Sequence, residues 1–347
     1  MRVLRLQKTL SEPERIEAVK TVRAKFPDAE PLGSSAFLRI DAAIPPAALE
    51  EFTAGCAAVC EIIDDVPPYA LCSRKLSPLY SDDSGAVDVC GVAVGDDIVG
   101  GRSPVVIAGP CAVESYEQMA RIADNLVTLG VRFMRAGAYK PRTNPYSFRG
   151  LKKHGLEIMD TIKRRFGLKM VTEVMSGDKI DEVSEVADIL QVGSRNMFHY
   201  ALLDRLGAQP KPVLLKRGMA AGMDEFLLAA EYILMGGNRN VILCERGIKT
   251  FETATRNTLD LNVVPHIKQK SHLPIIVDPS HGAGVRSLVR PMSLAALACG
   301  ADGIIVEVHH DPDHAMSDGQ QSITPAELLG LLEDIDRMVS SKITRFF

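Results

Sequence analysis

Pro274–Gly284, PIIVDPSHGAG, decides the fold of this chain. Ile275, Ile276 and Val277 form an apolar run without polar alternation, the pattern of a parallel-sheet strand covered on both faces. The run stops at Asp278-Pro279 and delivers His281 to a Gly-rich loop. A histidine held just past a strand end is well placed for chemistry. Downstream, GADGIIVEVHHDP repeats the arrangement, with Gly303 to Val306 as the strand and Glu307 as its terminal acid. Upstream, PVVIAGPCAVES does so again, with Val105 to Ile107 as the strand and Cys111 just beyond it. Asp318 follows in MSDGQ. Cys, His, Glu and Asp on strand ends make a metal site by residue type.

Working outward, strands and helices alternate eight times from Pro104 onward, as a parallel sheet requires. The strands are VVIAG, VRFMRAG, KMVTEV, ILQVG, VLLKRG, VILCERG, PIIVD and GIIVEV. Eight such units in residues 104–347 match the size of a (β/α)8 TIM barrel. A doubly wound open sheet is the rival, but its G-x-G-x-x-G phosphate fingerprint is missing after the first strand. Between the strands, Asp224 to Met235 sets Phe226, Leu227, Ala230, Ile233 and Leu234 on one helical stripe, which is core. A last helix runs from Pro325 to about Met338, with Thr324 and Glu327 as a capping box.

Residues 1–66 have a different rhythm: VLRL, a helix over Glu12–Phe26, AFLRIDA, a helix over Pro46–Ala58, then CEIID. That suits a small α+β module of ferredoxin-like type, although its second strand, within DAEPLGSS, is weak. Residues 67–103, with Pro67, Pro68, SDDSG and GDDIVGG, read as a linker with a hairpin that closes one end of the barrel.

Composition excludes several classes. The net charge of −4 argues against a nucleic-acid partner. No apolar run approaches the roughly 18 residues that cross a bilayer, and MRVLRLQKTLSEPER lacks the apolar core of a secretory signal, which points to the cytoplasm. Seven scattered cysteines suggest reduced thiols rather than a disulfide framework. Cys244, among Ile242 and Leu243, reads as core; His154, His199, His266, His272 and His314 read as surface or helix-terminal residues; His309 and His310 could reach the site.

Seven cations stand on the strand ends: Arg135, Lys140, Arg142, Arg195, Lys216, Arg217 and Arg246. Gathering them in one barrel mouth requires anionic partners, because desolvated charge must be paired. Glu173, Glu245 and other strand-end acids could answer for some of them, but these acids look too few for all seven. In a net acidic chain, that points to a small ligand carrying several phosphates or carboxylates. Cys111, His281, Glu307 and Asp318 suit Zn²⁺, Fe²⁺, Co²⁺ or Mn²⁺ rather than Ca²⁺.

The motifs AGPCAVES, RAGAYKPRTNPYSFRG, LQVGSRNM, PVLLKRGM, NVILCERGIKTFE, LPIIVDPSHGAG and VEVHHDPDHAMSDGQQS resemble the 3-deoxy-D-arabino-heptulosonate 7-phosphate (DAHP) synthases, in the branch related to 3-deoxy-octulosonate 8-phosphate synthases. The likeness runs in continuous order from Pro104 to the C-terminus. It implies condensation of phosphoenolpyruvate with erythrose 4-phosphate, the first step of the shikimate pathway, with one divalent metal ion as cofactor. Cys111, His281, Glu307 and Asp318 match the family's metal ligands. Arg135, Lys140, Arg195, Lys216 and Arg246 match its phosphoenolpyruvate-binding positions, and Arg142 and Thr143 those for erythrose 4-phosphate, with Asp278 beside the latter. Cys111, His281 and Lys140 become the catalytic candidates, Lys140 for proton transfer.

The chain departs from the family pattern at Asn144, Ser194, Gly282–Gly284 and His310, and none of these removes a ligand or a cation. Asn144 bears on sugar preference. The runner-up activity is octulosonate 8-phosphate synthesis from arabinose 5-phosphate, against which the KPRT segment argues. A noncatalytic effector-binding barrel would be expected to have lost metal ligands. By its position, the N-terminal module resembles the regulatory domain of some family members, with tyrosine or phenylalanine as effector, or else it helps to assemble a homo-oligomer, a tetramer or dimer.

Overall fold

A computed structural model describes residues 2–7, 9–32, 37–64, 67–74, 76, 91–142, 144 and 146–341. The chain divides into two units, Met1–Asp88 with Lys270–His272, and Val89–Gln269 with Leu273–Phe347.

In the first unit, β1 (Arg2–Leu6), α1 (Glu12–Lys25), β2 (Glu30–Leu32), β3 (Phe37–Ile40), α2 (Pro46–Gly55) and β4 (Val59–Ile63) follow one another. The antiparallel sheet has the order β2-β3-β1-β4, which is the ferredoxin-like arrangement. Leu4, Leu6, Leu38, Ile40 and Val59 of the sheet pack on Ala18, Val19 and Val22 of α1 and Leu49 of α2. At the start of α1, Glu14 accepts a bond from Ser11 N at 2.7 Å. The weak strand is there, but only as Glu30–Leu32, and residues 33–36 lie outside the described residues. Helix α2 stops at Gly55, short of the expected Ala58, where Cys56 turns extended.

The second unit begins with a hairpin, β5 (Val92–Val94) and β6 (Asp97–Val99), turning at Gly95 with φ +59. Eight parallel strands follow: β7 (Val105–Gly109), β8 (Phe133–Arg135), β9 (Lys169–Glu173), β10 (Ile189–Val192), β11 (Val213–Lys216), β12 (Val241–Glu245), β13 (Ile275–Val277) and β14 (Gly303–Glu307). Each pairs with its sequence neighbour, and β14 closes on β7 to complete the barrel. Around it lie α3 (Tyr116–Thr128), α4 (Lys153–Phe166), α5 (Ile180–Ser184), α6 (Tyr200–Gly207), α7 (Met223–Met235), α8 (Val263–Lys270), α9 (Pro279–Ala283), α10 (Arg286–Ala298) and α11 (Pro325–Ser340). The stripe of α7 is buried as its spacing predicts, and Thr324 and Glu327 cap α11 reciprocally.

Hydrophobic burial closes one end of this barrel. Val92, Val94 and Val99 of the hairpin join Ile107, Phe133, Val171, Ile189, Leu214, Ile242 and Ile276 in one core cluster. Asp97 of β6 is buried and pairs with Arg132 and Lys169, at the N-terminal ends of β8 and β9. The C-terminal ends are thus the open side. Among the described residues, no helix is long and apolar enough to cross a membrane.

Candidate active site

Strand β7 ends at Gly109, whose φ of +144 suits glycine. A Cβ there would run into the backbone oxygen of Arg135, so its absence lets the chain pass close to the end of β8 and on to Cys111. The Cys111 thiol donates to Asp318 Oδ2 at 3.1 Å and lies 3.1 Å from Ser317 Oγ. Lys140 Nζ donates to Cys111 Sγ at 3.0 Å and to its carbonyl at 2.9 Å. Glu307, at the end of β14, is fully buried, and its Oε2 accepts from Gln321 Nε2 at 2.6 Å. Ligand atoms of Cys111, Glu307 and Asp318 all lie within 4.8 Å of one another.

His281 falls outside that trio but beside it, with Nε2 3.6 Å from Glu307 Oε1. It stands on the short helix α9 and not in the Gly-rich loop expected. Asp278 is the N-cap, accepting from His281 N at 2.9 Å, Pro279 occupies the first turn, and Gly284 ends the helix in the left-handed conformation. His281 Nδ1 lies 2.8 Å from Asp278 Oδ2, which leaves Nε2 directed at Glu307.

These residues fit a divalent ion. Glu307 Oε1 is buried and accepts no hydrogen bond, although Arg135 Nη1 is 3.1 Å away. An ion beside it would supply the missing partner, and a thiolate, an imidazole and two carboxylates form a donor set for transition metals. Burial pushes the Cys111 thiol up to about 12, with Glu307 adding to the rise and Lys140 opposing it. A coordinated cation reverses that logic, because a thiol bound to metal is deprotonated outright. Burial acts to raise the Asp318 carboxyl, but the thiol of Cys111 and the charge of Arg256 bring it down to about 2. Asp278 is likewise held well below the usual carboxylate range, where His281 and Lys216 overcome the effect of burial. Burial lowers His281, and Asp278 and Glu307 work against that.

The cations divide into two groups. Lys216 is buried and paired with Asp278. Arg217 is buried against Glu245 at 3.0 Å and Asp260 at 2.9 Å. Arg135 faces Glu307 at 3.1 Å and donates to Cys111 O at 3.4 Å. Glu307, Asp278, Glu245 and Asp260 answer three of the seven cations, so the acids of the rim serve some of the cations and not all seven. Asp278, expected beside the four-carbon sugar, lies between Lys216 and His281. Lys140, Arg142, Arg195 and Arg246 make no ion pair among the described residues. Arg142 donates to Phe148 O at 3.0 Å and to Ser317 Oγ. Arg246 is buried, with a 3.4 Å bond to Gly247 O. Glu173 lies in the field of Lys140, Lys216, Arg135 and exposed Arg195. Thr143 lies outside the described residues.

Some participants were not visible in the sequence. Gln321 and Arg256 touch the two acids of the cluster, and Glu114 accepts from Met316 N at 2.9 Å beside buried His309. His272, expected as a surface or helix-terminal residue, is buried just past the end of α8, with Nε2 2.7 Å from Leu71 O. Cys244 is in the core, as its neighbours predict.

The DAHP synthetase I family matches residues 85–341. A phospho-2-dehydro-3-deoxyheptonate aldolase of Thermotoga maritima is 47% identical over 280 residues, 81% of this chain and 80% of that protein. The crystal structure of a DAHP synthase from Thermotoga maritima superposes with a TM-score of 0.77 at 39% identity, covering 99% of this chain and 98% of the other. A 2-dehydro-3-deoxyphosphooctonate aldolase of Geobacter sulfurreducens is 31% identical, over 70% of this chain and 96% of that protein.

Proposed function

This chain belongs to the DAHP synthetase I family of enzymes, and on that premise we propose that it condenses phosphoenolpyruvate with erythrose 4-phosphate. The products are 3-deoxy-D-arabino-heptulosonate 7-phosphate and inorganic phosphate, in the first step of the shikimate pathway. One observation carries the reading: four cations without ion-pair partners among the described residues share a strand-end rim with the Cys111, Glu307 and Asp318 cluster. Two phosphorylated substrates, one also a carboxylate, are the anions such a rim needs.

Arg135, Lys140, Arg195, Lys216 and Arg246 hold phosphoenolpyruvate, the guanidinium forks taking its carboxylate and phosphate oxygens. Arg142 and Thr143 hold the phosphate end of erythrose 4-phosphate. Asp278 fixes Lys216 on one side and His281 on the other. Cys111, His281, Glu307 and Asp318 would hold one divalent ion, Mn²⁺, Co²⁺, Zn²⁺ or Fe²⁺, which supplies Lewis acidity toward the aldehyde. Held this way, C3 of phosphoenolpyruvate faces the aldehyde carbon, and the new C–C bond forms as the aldehyde oxygen gains a proton. Lys140 moves that proton, a reading supported by its Nζ standing 3.0 Å from Cys111 Sγ. Water adds at C2, and C–O cleavage releases phosphate.

The test assays phosphoenolpyruvate with each aldose after chelation, and again after separate addition of the four ions. The expected result is turnover of erythrose 4-phosphate that chelation abolishes and an ion restores. Faster turnover of arabinose 5-phosphate would overturn the assignment in favour of the octulosonate reaction. The ferredoxin-like unit is the candidate receptor for tyrosine or phenylalanine, an idea that fails if neither changes the rate.

A further inference from the structure

The MSDGQQS segment supplies Asp318, but its Gln321 has no part in the reading above. That side chain is fully buried. Its Nε2 donates to Glu307 Oε2 at 2.6 Å, and its Oε1 accepts from Arg256 Nη1 at 2.7 Å. An ionised carboxylate only accepts and a guanidinium only donates, so the amide has a single workable orientation. Arg256 Nη1 also lies 3.4 Å from Asp318 Oδ1. One arginine and one glutamine thus touch both acids of the cluster.

Arg256 is itself anchored. Its N–H donates to Ala283 O at 2.9 Å, and Asn257 Nδ2 donates to His281 O at 2.8 Å. Gly284, with φ +70, has no Cβ at a point where one would strike the side chain of Arg256. The loop after β12 is therefore fastened to the helix that carries His281. Through Gln321 and Arg256 it also reaches Glu307 and Asp318.

We propose that Gln321 is a positioning residue: braced by Arg256, it grips Glu307 through Oε2, so that Oε1 alone is presented to a divalent ion with Asp318 held in register. This rests on the reading of Cys111, His281, Glu307 and Asp318 as ligands. Outer partners of this kind typically change metal affinity by about 10- to 100-fold when removed.

The test titrates the full-length, metal-stripped protein with Co²⁺ against a chromophoric chelator and records the cobalt spectrum. Saturable binding with a sulfur-to-cobalt charge-transfer band, lost in Cys111→Ala, establishes the ion site; absence of binding by the unaltered protein removes the ligand reading itself. Given that site, Gln321→Met, close in volume but without hydrogen bonds, is expected to bind Co²⁺ about 10- to 100-fold more weakly, with shifted d–d bands. Unchanged affinity in Gln321→Met, even with a lowered Tm, would overturn the proposal and leave Gln321 a packing residue. Should that variant fail to fold, Arg256→Met at its exposed position decides by the same criterion.

Discussion

Asp278 and Lys216 form a buried pair in which neither residue is more than 4% exposed, and the two sides are not equivalent. Asp278 has a second partner in the His281 imidazole, whose Nδ1 is 2.8 Å away, and also lies in the field of Arg135. Lys216 has no second ion pair among the described residues. Removing one member of such a pair costs about 3 to 5 kcal/mol, because the other is left charged and desolvated. Asp278→Asn leaves Lys216 with no ion pair among the described residues and only the field of Glu173, whereas Lys216→Met leaves Asp278 with the His281 imidazole in contact and the field of Arg135. The first variant therefore belongs at the upper end of that range and the second at the lower. Asparagine caps a helix as well as aspartate does, so α9 is kept and the loss measures charge. For a unit of this size the expected fall in Tm is roughly 6 to 20 °C, read by scanning calorimetry of the metal-free chain at neutral pH. The double variant should recover about 1 to 3 kcal/mol relative to the sum of the single losses. Additive losses, or a larger loss for Lys216→Met, would refute the reasoning.

Lys140→Met should lower kcat by about 10²- to 10⁴-fold with little change in Tm, and normal turnover would remove Lys140 from proton transfer. Arg246→Lys keeps the charge but loses the fork, so KM for phosphoenolpyruvate should rise by at least about tenfold. An unchanged KM would place the carboxylate and phosphate elsewhere. Burial lowers His272 from an ordinary 6.5 to about 4, against the bond to Leu71 O. The unfolded chain then binds more protons between these values, so stability is complete above pH 6.5 and drains away as pH falls toward 4, by about 3 kcal/mol in all. Urea unfolding at neutral and mildly acidic pH should show that loss in the parent and not in His272→Gln. Equal losses in both would count against it.

The barrel was legible because its strands are covered on both faces. Runs such as Ile275–Val277 and Val241–Leu243 have no polar face to disguise them, and glycines or charged residues mark where each ends. The ligand candidates were legible once strand ends were recognised as a common rim. What escaped was pairing at a distance: Lys216 and Asp278 are 62 residues apart, and Gln321 reaches Arg256 across 65. Nothing local marks such partners, since a glutamine in a polar turn looks the same whether it faces solvent or a buried carboxylate. The helix under His281 was different. Asp278-Pro279 carries a start signal, an N-capping acid with proline after it, and the glycines that follow drew the reading toward a loop.

Beneath the rim, Ile107, Phe133, Val171, Ile189, Leu214, Ile242 and Ile276 fill the barrel and the valine-faced hairpin backs them, so the site is a cup. A cup has one lip, and everything that comes in must go out over it. Where two reactants share such a vessel, the deeper one is obliged to arrive first, and what lies on top must leave before what lies beneath. Sequential, compulsory-order kinetics would then follow from plumbing alone, set by the packed layers below the rim.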